Sequence, residues 1–424
     1  MISLYMHIPF CDYKCEYCNF YVIQKNHPNF LPTLISDYII SIKKELDMWK
    51  QVYPDKQIRT IYLWWGTPSS IWKGNIIDIV DHIAGNWDLS DIEEFSMELN
   101  PDPFDENIEL IKYLSSRYKE FPRIRFSFGI QSFDDDVLKL TGRKYVFNNI
   151  KWFVRNLQPI KKSNMVYNFD MIAFGTMENW NDSRVQFWED RVWSQMADSF
   201  SIYTLELFEW SRRHQLSQAN NIDPKDHLLQ KMVHPDDDKV MEEFEYLKSV
   251  VINSWYNRYE TSNFARPGFG SIHNQVYRNM GQYLGVWASA SWFISLNNTN
   301  WWYENKLINY LHILDLDKNY KAIRYTNTTS ISDYIRWNYV DKNKLNLLTD
   351  RDLLIEWFFL KMRAGWVDDI SKYRDILVSN FEDKIKDMIS DWLLVSNSGG
   401  LKFTDRWYDL SNRILSDLMI FNNK

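Results

Sequence analysis

Glycine is scarce in this chain: 13 residues of 424, about 3% where about 7% is usual. Tight turns and close backbone approaches to a ligand rely on glycine, so the shortage has to show somewhere. Long apolar runs are missing too, and none approaches the roughly 18 residues that span a bilayer. Positive charge is not in excess; the net charge is −7, which removes the electrostatic case for nucleic acid or an anionic membrane surface. The N-terminal "MISLYMHIPFC" has no basic stretch and no small-residue cleavage site. It therefore reads as no signal peptide, and a cytoplasmic location is expected. Cysteine is limited to three residues, too few for a disulfide scaffold.

What is present is ordinary in bulk. Apolar residues at 45% and charged residues at 25% fit a globular chain, and the length allows a large domain with a smaller appendage. Two details stand out. Tryptophan occurs 20 times, and all three cysteines fall within eight residues, Cys11-Asp-Tyr-Lys-Cys15-Glu-Tyr-Cys18.

Three clustered cysteines can be small buried hydrophobes, or a disulfide with one thiol left over. In a cytosolic chain such a cluster is more often a metal site. Zinc takes four ligands, and no Cys or His partner lies at zinc-finger spacing. Iron–sulfur clusters are held by thiolates, and three thiolates on a four-iron cube leave one iron open to a small molecule.

The first half of the chain alternates strand-like and helix-like stretches. "TIYL", "FSMELNP", "IRFSFGIQS", "NFDMIAFG" and "FSIYTLEL" are separated by amphipathic helical patterns. This predicts an α/β fold with a parallel sheet, open or closed as a TIM-like barrel, whose site lies at the C-terminal strand ends. Thr67, Glu98, Gln131 and Asp170 fall at those ends. An acidic helical stretch runs from His234, followed by an aromatic, loop-like stretch to about Val286. From about Leu307 the pattern reads as helical and closes with two short strands about Gly399-Gly400, suggesting a small winged-helix-like domain. The expected divisions are 1–235 for the core, 236–305 for a barrel extension and 306–424 for the C-terminal domain.

The Cys-x3-Cys-x2-Cys loop resembles that of the radical SAM superfamily. "YMHIPFCDYKCEYCNF", "GTPSS", "ELNPD", "FSFGIQSFDDDVLKLTGR", "NFDMIAFG" and "YETSNFARPGFGSIHNQVYRNMGQYLGV" resemble, in order, the signatures of its HemN/HemW branch. The resemblance implies a partial parallel (β/α) barrel and a [4Fe-4S] cluster on Cys11, Cys15 and Cys18. S-adenosylmethionine (SAM) would chelate the fourth iron and be cleaved reductively to a 5′-deoxyadenosyl radical. It further implies Tyr5 and Tyr17 beside the cluster, Gly66 and Thr67 at the methionine end of SAM, and Glu98, Gln131, Arg143 and Asp170 as polar SAM contacts. A structural Arg143–Asp170 ion pair is the alternative for those two.

Within the branch, oxygen-independent coproporphyrinogen III oxidases carry a further cysteine two residues after the third, where this chain has Phe20. They also have a longer segment before the cluster. The heme-chaperone members are more similar, which implies heme, client hemoproteins and an electron donor as partners. Their His-Asn-x-x-Tyr-Trp segment reads His273-Asn274-Gln275-Val276-Tyr277-Arg278 here. His273 is the candidate heme ligand, and Arg278 stands where tryptophan is expected.

Two tryptophans, Trp64 and Trp65, stand where the branch has glycine, next to the cofactor. Trp255 and Trp392 follow amphipathic helices at the position that favours a left-handed glycine. Trp210, Trp287, Trp292, Trp366 and Trp407 also stand where glycine is expected. Glycine at these nine positions would restore a usual glycine content. The expectation is that UGA codons read as glycine in the host have been rendered as tryptophan.

Overall fold

The computed structural model describes residues 1–424 except 19, 29, 65, 67, 178–181, 190–195, 207–234, 297–306, 308–318, 340, 368, 398–399, 407, 409–417 and 419–424. Strand β1 (Ile2–His7) leads through the short β2 (Phe10–Cys11) and β3 (Ile23–Gln24) to helix Thr33–Val52. A strand–helix alternation follows: β4 (Ile58–Trp64), β5 (Glu94–Leu99), β6 (Ile124–Gln131), β7 (Met165–Ala173) and β8 (Ser199–Thr204). Helices Lys73–Asn86, Phe104–Arg117 and Phe147–Leu157 pack outside the strands. Then come β9 (Asn257–Glu260), β10 (Asn263–Ala265), β11 (Tyr283–Val286), β12 (Ser291–Ser295), β13 (Tyr320–Thr326) and β14 (Leu345–Thr349).

Twelve strands form one sheet in the order β14-β13-β12-β11-β1-β4-β5-β6-β7-β8-β10-β9. The seven from β11 to β8 pair in parallel, and the ends are antiparallel. The expected α/β architecture is present. The central strands are buried along nearly their whole length, as a parallel sheet covered on both faces requires.

Two expectations are corrected. The stretch read as loop-like holds β9, β10, helix Ile272–Arg278 and β11. The sheet also continues past residue 306, because β13 and β14 pair antiparallel onto β12. Their short segments owe their state to pairing with a neighbour instead of to local pattern. A separate apolar cluster begins at Phe358 and includes Val367, Phe381, Leu394, Leu401 and Phe403. It lies between helices Asp350–Arg363 and Phe381–Ser390 and a three-stranded sheet of β15 (Trp366–Val367), β17 (Gly400–Phe403) and β16 (Leu394–Asn397). Among the described residues no helix is long and apolar enough to cross a membrane.

Glu45, fully buried on helix Thr33–Val52, ties the far edge of the sheet together. It accepts hydrogen bonds from Tyr334 Oη at 2.6 Å, Asn327 Nδ2 at 2.7 Å and the Trp287 backbone N–H at 2.8 Å. Burial pushes its carboxyl up to about 7, against the downward pull of those bonds. The native state thus keeps a proton that the unfolded chain loses near its ordinary value. Stability is expected to fall as pH rises from about 4.5 to about 7 and to level off above. Buried Glu243 and Glu98, pushed to about 7 and about 8, act in the same sense. Denaturant midpoints measured across this range should fall, reflecting a loss of unfolding free energy on the order of 3 kcal/mol for Glu45. Glu45→Gln should flatten the slope; a rising midpoint would contradict the assignment.

Candidate functional site

The site is built at the C-terminal ends of the parallel strands. β1 ends beside β4, where the Ile8 N–H donates to the Trp64 carbonyl at 3.0 Å. The chain then enters the cysteine loop. Cys11 closes β2, with the Lys25 N–H donating to its carbonyl at 2.9 Å, and a turn is made by the Cys18 N–H on the Cys15 carbonyl at 3.1 Å. None of the three cysteines is in a disulfide, and all line one cavity of about 130 Å³ together with Gly66, Gln131 and Arg143. Among the described residues no group of three or more His, Cys, Asp or Glu is already drawn into metal-ligating geometry. The donor set still fits a cluster held by three thiolates: the thiols are unbridged, share one cavity and have no fourth protein sulfur.

Glycine 66 has φ +57°, and a Cβ there would meet the Ile8 carbonyl oxygen at 2.2 Å. The backbone turn between strand and cofactor therefore admits only glycine. Gln131 reaches the cavity because the β6–β7 register shifts between Gly129 and Gln131, and Gln131 takes φ +70°. A left-handed non-glycine residue costs on the order of 1 kcal/mol, and here it turns an amide into the cavity. Gly129 supplies room, since a Cβ would meet Gln131 Nε2 at 2.7 Å.

Arg143 is held by two partners. It donates from Nη2 to Tyr17 Oη at 2.8 Å and from Nη1 to Asn100 Oδ1. Asn100 in turn donates to Tyr13 Oη at 3.1 Å. Asp170 instead accepts from Ser127 Oγ at 2.9 Å and Asn168 Nδ2 at 2.8 Å. The two are thus held separately, and the ion-pair alternative is not what the fold builds. Glu98 accepts from Tyr62 Oη at 3.0 Å. Burial, then the nearby Asp170 charge, pushes its carboxyl up to about 8, so without a cationic ligand it is mostly protonated near neutral pH.

A second cavity of about 460 Å³ lies behind the first. Glu98, Ser127 and Asp170 line both. Trp64 lines the second cavity, stacked on Tyr62 at 5.6 Å and 3°, with Phe20 of the first cavity at 6.4 Å. Its indole thus stands at the junction of the two spaces.

Of the residues expected from sequence, Cys11, Cys15, Cys18, Tyr17, Gly66, Glu98, Gln131, Arg143 and Asp170 share the first cavity. Thr67 lies outside the described residues, as do Trp65, Trp210 and Trp407. Tyr5 lies edge-on to Trp64 at 5.9 Å, one ring away from the cavities. His273 is corrected. It is fully buried, with Nδ1 against Thr60 Oγ1 at 2.7 Å and Nε2 against Tyr277 Oη at 2.6 Å. Both ring nitrogens are engaged, leaving none for a metal, and burial depresses its basicity to about 3. Tyr13, Asn100, Tyr62, Ser127 and Arg125 were not singled out from sequence. Asn100 and Ser127 lie inside quoted motifs, whereas Tyr62 and Arg125 look like interior strand residues.

A fold with a parallel β/α sheet, a three-cysteine loop after β1 and a polar ring at the strand ends defines a class, and the radical SAM superfamily domain matches residues 5–185. The chain's likeness to known proteins falls in the HemN/HemW branch of that superfamily. It is 26% identical over 426 residues to "Heme chaperone HemW" of Lactococcus lactis, covering 99% of this chain and 97% of the relative. It is 29% identical to the protein of that name in Bacillus subtilis, over 70% of this chain and 73% of the relative. Among solved structures, Escherichia coli coproporphyrinogen III oxidase (HemN) has the same fold, with a TM-score of 0.69, 18% identity, and 98% of this chain and 89% of that chain covered. A radical SAM domain implies a [4Fe-4S] cluster and SAM.

Proposed function

We propose that this chain is a cytoplasmic heme chaperone of the HemW type, which binds heme and hands it to client hemoproteins with a [4Fe-4S] cluster and SAM at the strand ends. The observation that carries the reading is likeness along the whole chain to proteins named heme chaperones. Phe20, where oxidases of the branch resemble one another in having cysteine, supports it. Cys11, Cys15 and Cys18 would hold the cluster, which when bound supplies the electron used to cleave SAM. Tyr17 and Asn100 fix the Arg143 guanidinium so that it can present a forked donor to a carboxylate. Glu98 is placed to release its proton when a cationic amino group binds beside it.

Hemin titration of the reconstituted protein should give a saturable Soret shift, and an anaerobic assay with coproporphyrinogen III and SAM should give no decarboxylated product. Such product would instead establish the alternative, an oxygen-independent coproporphyrinogen oxidase. Since both nitrogens of His273 are engaged, His273→Gln is expected to leave the heme spectrum unchanged. A changed axial signature would return that residue to the heme site. An external electron donor is part of this proposal.

A further inference from the structure

The second cavity gathers three arginines from distant parts of the chain: Arg125 on β6, Arg278 ending helix Ile272–Arg278, and Arg363 ending helix Asp350–Arg363. Arg125 is 3% exposed, and its Nε has no hydrogen-bond partner. Arg278 Nε lies 3.5 Å from Glu260. Burial and the charge of Arg278 together lower the basicity of Arg363, so two guanidiniums stand within electrostatic reach of each other. Four carboxylates share the cavity: Glu260 pairs with Arg278, the charge of Glu206 acts on Arg363, Glu98 is largely neutral and Asp170 is engaged by Ser127 and Asn168. Of the three arginines only Arg125 is buried, and its unsatisfied Nε beside the cavity is the donor that favours an anionic ligand there. Tyr62, Tyr203 and Tyr277 line the same cavity.

We propose that Arg125, Arg278 and Arg363 form a carboxylate clamp for a flat aromatic ligand bearing acid side chains, which here means the propionates of heme. This rests on the heme reading above and adds where and how heme is held. A guanidinium fork matches a carboxylate bidentately, and the tyrosines take the macrocycle. The test compares hemin with hemin dimethyl ester by Soret titration of the full-length protein. The wild type should bind hemin at least about tenfold more tightly than the ester. Arg278→Ala and, as a milder variant, Arg278→Lys should lose most of that preference while keeping affinity for the ester. Equal affinities in the wild type overturn the clamp and leave the heme reading standing. Binding of neither compound overturns the heme reading itself.

Among the described residues eight non-glycine residues have φ in the left-handed region, and five of them are tryptophan: Trp72 (68°), Trp255 (70°), Trp287 (123°), Trp337 (72°) and Trp392 (59°). Three are the same motif. Trp255, Trp337 and Trp392 each stand second after the end of a helix and donate to Ile252, Tyr334 and Ile389 at 3.1, 3.0 and 3.1 Å. In each case the next residue donates back to Val251, Asp333 or Met388. This is the Schellman arrangement, whose left-handed residue is usually glycine. Gly142 fills that position in the same pair of bonds after helix Asp135–Leu140. Trp72, with φ 68° and ψ 143°, lies in a region populated almost only by glycine.

We infer that the chain made in its own host carries glycine at these five positions, through UGA codons read as glycine. Trp72 and Trp337 extend the set expected from sequence. Trp292 and Trp366 lie in β12 and β15 without positive φ, so backbone geometry does not ask for glycine there. Peptide masses spanning the five sites, from protein isolated from that host, should read glycine at each; tryptophan at all five overturns the inference. Independently, recombinant protein with the exposed Trp255, Trp337 and Trp392 changed to glycine should melt higher than the all-tryptophan form. A lower melting point would overturn the backbone argument.

Discussion

Glycine in place of both Trp64 and Trp65 is expected to raise the affinity of the cluster-loaded protein for SAM by about 100-fold or more, a gain of about 2.7 kcal/mol. The cysteine cavity measures about 130 Å³, whereas sites for ligands of cofactor size run to roughly 300–1,000 Å³. The Trp64 indole stands between Phe20 and Tyr62, at the junction with the larger space behind. Removing it joins the two cavities. The backbone should stay in place, because the bond from the Ile8 N–H to the residue 64 carbonyl needs no side chain. Stability should move the other way, since the stack on Tyr62 and the edge contact with Tyr5 are lost. Equilibrium dialysis with labelled SAM reads the first effect and thermal melting the second. Unchanged affinity would mean that the indole is not what limits the site.

The second large effect concerns the cysteines. Alanine at any one of Cys11, Cys15 or Cys18 is expected to reduce bound iron and the cluster chromophore to background after anaerobic reconstitution. Three thiolates are the fewest that can hold a four-iron cube with one iron open, and the described cavity offers no fourth sulfur. The folded core should survive, because the loop lies outside the main apolar cluster except for Phe10 and its neighbours. Far-ultraviolet circular dichroism and iron analysis separate loss of cluster from loss of fold. A single-alanine variant retaining full iron would remove that residue from the ligand set.

Local pattern carried much of the architecture. β4 to β8 were legible because parallel strands covered on both faces are nearly continuous apolar runs, and the polar residues that follow them are the first cavity's lining. The two antiparallel edges were not legible. β9 and β10 at one edge and β12 to β14 at the other are short and mixed in pattern, and they are strands because a neighbouring strand supplies the hydrogen bonds. His273 shows the same limit at a single residue. Its motif suggested a heme ligand, but only the packing of Thr60 and Tyr277 around both nitrogens reveals that its lone pair is already committed.

By itself, the sequence determined the cysteine loop, the β/α alternation and the misfit of tryptophan at glycine positions, because each is set by spacing or by one residue's conformational range. Only the tertiary structure decided what lies beside what. It separated Arg143 from Asp170, placed Trp64 between two cavities, and brought Arg125, Arg278 and Arg363 to one wall. Those juxtapositions join residues up to hundreds of positions apart. They are fixed by strand order and by the burial of apolar surface, neither of which a local pattern records.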